Sequence, residues 1–200
     1  MLSTRRLLLA ASASLALSGC DKLFGPKPAT FHGVDITGAT YGQSLSLPDV
    51  DGRTRTLSEF AGKVVVVFFG FTQCPDVCPG TLAELAAVKK SLGADGDRVQ
   101  GVFITIDPER DTAQVLKGYV NAFDPSFVAL RGSLEQTAAT AKDFKVFYQK
   151  VPGKADGAYT MDHTAGSYVF DTHGQVRLFT RYGTGPQALT DDIRQLLQQG

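Results

Sequence analysis

Two cysteines, Cys74 and Cys78, are separated by three residues and lie between an apolar run and a helical pattern. Thiolates are soft ligands, and two of them at this spacing can hold copper(I) or zinc together. The same pair can also exchange electrons with another protein by forming and breaking a disulfide. Residues 68–80, which contain both cysteines, therefore predict a metal-binding and redox-active site.

Each cysteine is followed by a proline, Pro75 or Pro79. Proline disfavours the α conformation in the residue before it, so we expect both cysteines to lie outside regular helix and the helix to begin at or after Pro79. The amides of a helix N-terminus carry partial positive charge, which favours the thiolate form of nearby sulfurs. A structural disulfide is the plainest alternative, but a crosslink across so short a loop adds little stability.

The segments around the cysteines alternate between strand and helix patterns. An Asp-Gly turn within residues 44–57 predicts a β-hairpin, and residues 64–70 are a β-branched and aromatic run typical of a strand buried on both faces. A second hairpin is predicted over residues 167–180 and a closing helix over residues 186–198. The other predicted elements are helices over residues 81–92, 111–123 and 133–144, and strands over residues 99–106 and 127–130.

These elements predict an α/β domain, in which helices flank a mixed sheet on both faces and a β-hairpin stands at the N-terminal end. Sites in such sheets form at the carboxyl ends of strands, which is where Cys74 and Cys78 fall. The order of strand, cysteine pair and helix resembles the thioredoxin fold. The spacing of the cysteines differs from the two intervening residues of thioredoxin itself.

A histidine could supply a third ligand and so narrow the choice of metal. His163 lies in a loop before the second hairpin, near the place where thioredoxin-like oxidoreductases put a proline that faces their cysteines. No proline occurs between residues 152 and 186, so His163 can take that place, and Asp162 beside it could hold the imidazole in position. The remaining two histidines are predicted to be a linker residue and a turn residue, His32 and His173 respectively.

Three separated motifs resemble the Sco (SenC) family of copper proteins. They are Phe-Gly-Phe-Thr-x-Cys-Pro-x-x-Cys-Pro at residues 69–79, Ile-Asp-Pro-Glu-Arg-Asp-Thr at residues 106–112 and Asp-His at residues 162–163. The resemblance runs from about Phe31 to the C-terminus, and it is specific because the three motifs occur in the same order.

The resemblance implies a membrane-tethered, thioredoxin-like metallochaperone that binds one copper ion, as Cu(I) or Cu(II), through Cys74, Cys78 and His163. It also implies a function, which is to deliver copper to, or mature, the binuclear copper centre of a respiratory cytochrome c oxidase. The implied partners are the copper-centre subunit of that oxidase and another copper chaperone.

Other chemistry stays open at the same residues. A thiol-disulfide oxidoreductase would use Cys74 and Cys78 as catalytic residues to reduce the cysteines of the recipient site, and this activity could coexist with copper binding. Thr72 suggests a peroxiredoxin-like peroxidase, and two cysteines with one histidine and a water could hold zinc. The sequence therefore leaves open whether the chain is an enzyme.

The first 19 residues predict an export signal. Two arginines precede an apolar run at residues 7–17 that is too short to span a bilayer, and export by the general or the twin-arginine route stays open. The Leu-Ser-Gly-Cys that follows resembles the bacterial lipoprotein cleavage box, which predicts lipidation of Cys20; ordinary cleavage would leave a free thiol there. We therefore expect a chain anchored by lipid in the bacterial cell envelope, on the periplasmic or extracytoplasmic face of the inner membrane.

These assignments divide the chain into a lipoprotein signal peptide at residues 1–19, a lipid-anchored tether at residues 20–40 and a thioredoxin-like copper-binding domain at residues 41–200. With 43% hydrophobic residues, 200 residues suffice for one sizeable core. The 20 basic and 20 acidic side chains cancel, so no basic excess favours nucleic acid as a partner.

Overall fold

The computed structural model describes residues 30–200 of the chain. Phe31–Gly200 form one compact unit. The predicted signal peptide, the lipidation site at Cys20 and residues 20–29 of the predicted tether lie outside the described residues. Within residues 30–200, no helix is both long enough and apolar enough to cross a membrane.

The described chain contains ten strands and four α-helices, which alternate from β4 to α3. The strands are β1 (Val34–Asp35), β2 (Ser46–Pro48), β3 (Thr54–Thr56), β4 (Val64–Gly70), β5 (Val99–Thr105), β6 (Val128–Leu130), β7 (Tyr148–Pro152), β8 (Tyr159–His163), β9 (Gly166–Phe170) and β10 (Val176–Arg181). The helices are α1 (Val77–Ser91), α2 (Ala113–Asn121), α3 (Leu134–Asp143) and α4 (Pro186–Gln198).

Six strands form a mixed sheet in the order β1-β10-β9-β4-β5-β6. β4 runs parallel to β5, and β5 runs parallel to β6. β9 runs antiparallel to both of its neighbours, β4 and β10. β2 pairs with β3, and β7 pairs with β8, in two further sheets of two strands each.

The centre of the sheet is buried on both faces. All seven residues of β4 are buried, as are all seven of β5, which a continuous run of valine and phenylalanine explains because β-branched and aromatic side chains pack well on a pleated surface. The predicted mixed sheet with flanking helices is therefore confirmed. The predicted hairpins at both ends of the domain and the closing helix are confirmed as well.

The sheet begins earlier in the chain than the predicted start of the domain at residue 41. Val34 of β1 pairs with Phe179 at the edge of the sheet, and the carboxylate of Asp192 in α4 accepts the backbone N–H groups of His32 and Gly33 at 2.8 Å each. β1 has two residues, both exposed, so it carries no periodicity that a sequence pattern could reveal.

The structure corrects the predicted start of the first helix. α1 begins at Val77, so Cys78 lies within its first turn, whereas we expected both cysteines to precede the helix. The first four N–H groups of a helix have no partner inside the helix, so Pro79 removes no hydrogen bond there and is tolerated. Cys74 does precede the helix, as predicted.

A second difference is the β7–β8 hairpin, where the sequence predicted a loop around His163. His163 is in fact the last residue of β8 and lies opposite Tyr148 of β7. Most side chains of these two strands are exposed or half-buried, so the hairpin lacks the apolar alternation that identifies a strand in sequence.

Candidate metal centre

The structure brings Cys74, Cys78 and His163 together at the carboxyl end of β4. Their ligand atoms all lie within 4.8 Å of one another, and Cys78 Sγ is 3.7 Å from His163 Nε2. Within residues 30–200, this is the one group of three or more cysteine, histidine and acidic side chains with that geometry. Cys74 and His163 line an open cleft of about 370 Å³, and Cys78 is not among the residues that line it.

The two cysteines occupy different environments. The Cys78 side chain is fully buried, whereas Cys74 is half-buried in the loop before α1 and lines the cleft. The backbone N–H of Cys78 points at Cys74 Sγ, 3.3 Å away, so an amide of the first helical turn does face a sulfur, as the sequence predicted. Both cysteines are free, so both sulfurs are available as donors.

Burial raises the pKa of the Cys78 thiol, and the neighbouring sulfur of Cys74 adds to this shift. The sequence led us to expect that the helix N-terminus would favour the thiolate of both cysteines. At Cys78 the loss of solvation outweighs that effect, because a charged sulfur is poorly stabilised among apolar side chains. A cation in the site would reverse this balance, since a coordinating thiol loses its proton to the metal.

Gly70, the last residue of β4, leaves the space that Cys78 occupies. A Cβ at Gly70 would lie 2.9 Å from Cys78 Sγ and 2.8 Å from a ring carbon of Phe68. Real Cβ atoms do not approach other heavy atoms this closely, so any larger residue would displace the sulfur or the ring. The sequence showed this glycine within the motif but gave no sign that it packs under a cysteine.

The loop before Cys74 is held by a buried carboxylate, Asp111. Its oxygens accept hydrogen bonds from the Thr72 hydroxyl at 2.5 Å and from the Thr105 hydroxyl at 2.6 Å, and the Thr72 backbone N–H donates to both of them at 3.1 and 3.2 Å. Burial raises the pKa of Asp111, while these bonds act in the opposite direction. Thr72 thus attaches the cysteine loop to Asp111, which is a structural role.

The imidazole of His163 is oriented by its neighbours in the structure. Its Nδ1 lies 3.0 Å from the carbonyl oxygen of Thr164. A carbonyl can only accept, so this contact places the ring proton on Nδ1 and leaves the lone pair of Nε2 facing Cys78. Burial lowers the pKa of His163, which keeps the ring neutral and able to bind a metal. The rings of Phe68 and Phe71 pack edge-on against the imidazole, and the centre of each ring lies 6.0 Å from the centre of the imidazole.

Asp162 does not form the hydrogen bond to His163 that the sequence suggested. Successive side chains of a strand point to opposite sides, and Asp162 is exposed while His163 faces the site. The carbonyl of Thr164 takes the role that we considered for Asp162. The charge of Asp162 acts on His163 only through space, where it raises the pKa slightly against the larger effect of burial.

The other two histidines lie apart from this group. His173 is exposed in the turn between β9 and β10, where the carboxylate of Asp171 accepts its backbone N–H. His32 donates its backbone N–H to Asp192. The structure therefore agrees with the preference for His163 among the three histidines.

Comparison with known proteins agrees with the family resemblance seen in the sequence motifs. The SCO1/SenC family model matches residues 34–198. The bovine "Protein SCO2 homolog, mitochondrial" is 39% identical over 162 residues, which cover 78% of this chain and 60% of the relative. A SCO2-like protein of Rickettsia felis is 38% identical over 154 residues, 76% of this chain and 75% of the relative. The chain thus spans about 60% of the bovine relative's length.

Solved structures resemble the chain over most of its length. ScoI of Bradyrhizobium japonicum with copper bound is 35% identical with a TM-score of 0.69, over 82% of this chain and 98% of the other. Apo Sco1 of Thermus thermophilus is 38% identical with a TM-score of 0.74, over 84% of this chain and 97% of the other.

Proposed function

Because the chain belongs to the SCO1/SenC family, we propose that it is a copper-binding chaperone that delivers copper to, or matures, the binuclear copper centre of a respiratory cytochrome c oxidase. The observation that carries the proposal is the convergence of Cys74, Cys78 and His163 within 4.8 Å. Relatives with bound copper support it, as does the description of the Sco family as cytochrome c oxidase assembly proteins.

The donor set suits copper as a cargo that must be both held and released. Two thiolates favour copper(I), and the neutral imidazole makes copper(II) acceptable to the same site. We assign Cys74, Cys78 and His163 as the ligands of one copper ion. The cleft leaves this site open to a partner protein, and we propose the copper-centre subunit of the oxidase and a second copper chaperone as those partners.

We also propose that the protein is a lipoprotein of the bacterial cell envelope, anchored through Cys20 on the outer face of the inner membrane. The support is the apolar run at residues 7–17 with its cysteine box and the existence of a SCO1/SenC family lipoprotein in Bacillus anthracis. The intact mass of the protein extracted from membranes tests this. A mass that corresponds to an unmodified Cys20 thiol would contradict it.

A second candidate function is thiol-disulfide exchange through Cys74 and Cys78. The observation in its favour is the backbone N–H of Cys78 aimed at Cys74 Sγ, because such a contact stabilises the attacking thiolate. In that function the two cysteines would reduce the cysteines of the recipient site before copper arrives. His163 separates the two functions, since only metal binding requires it.

The decisive experiment is an anaerobic titration of the wild type and the His163→Ala variant with copper(I) and copper(II), with zinc as competitor. We expect His163→Ala to weaken copper(II) binding roughly a hundredfold, because one ligand contributes about 3 kcal/mol to a site of this kind. Copper(I) binding and disulfide exchange should change little. His173→Ala, at an exposed turn, is the matched control.

Two results would contradict metal delivery. One is that zinc displaces copper from the wild type. The other is that His163→Ala binds copper(II) as the wild type does while disulfide exchange is fast, which would leave the oxidoreductase as the better assignment.

A further inference from the structure

The two halves of the candidate site come from separate parts of the fold. The cysteines follow β4 of the central sheet, whereas His163 ends β8, and within residues 30–200 the strands β7 and β8 pair only with each other. At its carboxyl end β8 continues through two residues into β9. The other end of β8, at Tyr159, needs a different anchor if His163 is to stay at a fixed distance from the sulfurs.

Arg110 contacts both halves of the site with one side-chain nitrogen. Its Nη1 donates to the side-chain oxygen of Gln73 at 2.9 Å and to the backbone carbonyl of Tyr159 at 2.8 Å. Gln73 directly precedes Cys74, and Tyr159 is the first residue of the strand that ends at His163. The guanidinium thus bridges the cysteine loop and the histidine strand.

The remaining contacts fix the orientation of this guanidinium. Nε of Arg110 forms an ion pair with Asp107, which also accepts a hydrogen bond from the Tyr159 hydroxyl at 2.9 Å. The guanidinium carbon lies 3.6 Å from the centre of the Tyr159 ring, a stacked arrangement. It lies 5.9 Å from the centre of the Phe71 ring, which itself packs against His163.

Few other residue types could make these contacts at once. Asp107 is almost fully buried and Arg110 is 20% exposed, so the ion pair is shielded from water on one side. Arg110 Nη2 is buried without a hydrogen-bond partner among the described residues, which costs stability. Lysine would keep the positive charge, but its single ammonium cannot hold Asp107 and reach Gln73 and Tyr159 at once, which Arg110 does through two different nitrogens, Nε and Nη1.

We propose that Arg110 is a positioning residue that holds the histidine strand at ligand distance from the cysteine loop. Its contribution to copper binding rests on the function proposed above, and it acts through His163 instead of touching the metal. Loss of the bridge should leave the two sulfurs in place and move the imidazole, so that the site approaches a pair of cysteines alone.

The first test is the Arg110→Lys variant, which preserves the charge beside Asp107 and so favours folding. We expect copper(II) binding to weaken about tenfold, the lower end of the range for residues that orient metal ligands, and copper(I) binding to change much less. In the apoprotein, amide hydrogen exchange in β8 should become faster while exchange in β9 stays unchanged.

A double-mutant cycle with His163→Ala separates positioning from a general loss of structure. If Arg110 acts through His163, the effect of Arg110→Lys on copper(II) affinity should nearly vanish in the His163→Ala background. Additive losses in the double variant would overturn the proposal. Gln73→Ala, at an exposed residue, is a second variant that removes one arm of the bridge and should weaken copper(II) binding in the same direction.

Lys117→Met is the matched control. It removes the ion pair of Lys117 with Asp51, which lies between exposed side chains, involves no residue of the β7–β8 hairpin and contributes little. We expect copper affinity and hydrogen exchange in β8 to match the wild type in this variant.

Failure of the proposal is distinguishable from failure of the proposed function. If the wild type binds neither copper(I) nor copper(II), the chaperone function fails, and hydrogen exchange in the apoprotein still decides whether Arg110 holds β8. If the wild type binds copper(II) and Arg110→Lys matches it in affinity and in exchange, the positioning role is overturned while the chaperone function stands.

Discussion

The two halves of the metal centre differ in how they are built. Cys78 lies under the central sheet, where β4 is paired on both sides and buried throughout. His163 is carried by a hairpin whose side chains are mostly exposed or half-buried and which pairs with no strand of the main sheet among the described residues. The sulfur of Cys78 is thus fixed by the core, whereas the strand that carries the imidazole is joined to the cysteine loop by the side chain of Arg110.

This difference separates two kinds of chemistry. Thiol exchange needs only the half built into the core, so it should tolerate changes in the hairpin. Tight binding of copper(II) needs the imidazole as well, so it should depend on residues that hold the hairpin. One site can therefore lose one activity and keep the other.

The largest expected effect is that of Cys78→Ser, which removes a proposed ligand from the cysteine half of the site. Both copper(I) and copper(II) binding should weaken at least about a hundredfold, because one ligand contributes roughly 3 kcal/mol in a site of this kind. Competition titration in both oxidation states measures it, with Cys20→Ser as the matched control. Retention of copper(I) binding would show that the buried sulfur is not a ligand and would break the comparison.

A smaller effect is expected from Gly70→Ala, since the new methyl group would lie 2.9 Å from the sulfur of Cys78. Overpacking of this kind lowers the free energy of unfolding by about 1–3 kcal/mol, and chemical denaturation measures it. Gly118→Ala is the matched control, because Gly118 lies in α2 with open space around it, and alanine should stabilise that helix by about 1 kcal/mol. If Gly70→Ala is as stable as the wild type, the residues around Cys78 can shift to make room for the methyl group, and the cysteine half is less rigid than its packing indicates.

The smallest effect is expected from Asp111→Asn. Asp111 holds the cysteine loop through Thr72, and the stability that it contributes depends on pH. Burial raises the pKa of Asp111, so the folded protein holds this proton more tightly than the unfolded chain does. The stabilisation from this group is complete below the unfolded pKa of about 4 and is lost as the pH rises through the folded pKa. The stability advantage of the wild type over Asp111→Asn should therefore shrink from pH 4 to pH 7, within about 1 kcal/mol.

Denaturation curves of both proteins across that pH range test this expectation. A difference that stays constant or grows with pH would contradict it. Hydrogen exchange in β8 should be the same in both proteins, because Asp111 supports the cysteine half of the site.

The sequence predicts the cysteine half of the site well and the histidine half poorly. The run of residues 64–70 identifies β4, because continuous burial leaves a continuous apolar pattern in the sequence. β7 and β8 leave no such pattern, so the sequence placed His163 in a loop. The predicted start of α1 was also wrong. Proline disfavours the α conformation in the residue before it, here Cys78, but Pro79 lies in the first helical turn, where its missing N–H costs no hydrogen bond.

The residues that support the site were also hard to predict from the sequence. The motif at residues 106–112 entered the sequence analysis only through the family resemblance, and the structure shows an ion pair between its Asp107 and Arg110. The reach of Arg110 to Gln73 and Tyr159 spans 37 and 49 residues of sequence, and only the folded chain brings these groups together. Gly70 likewise became informative only when its neighbours in space were known.

The attachment of the domain's first residues to its last helix has a mechanical consequence. Because the buried carboxylate of Asp192 binds the amides of His32 and Gly33, and β1 pairs with β10, a force applied through the preceding chain is borne by α4 and the sheet edge. None of these contacts involves Cys74, Cys78 or His163. With the proposed anchor at Cys20, tension would therefore enter the fold through contacts that do not involve the residues of the candidate metal centre.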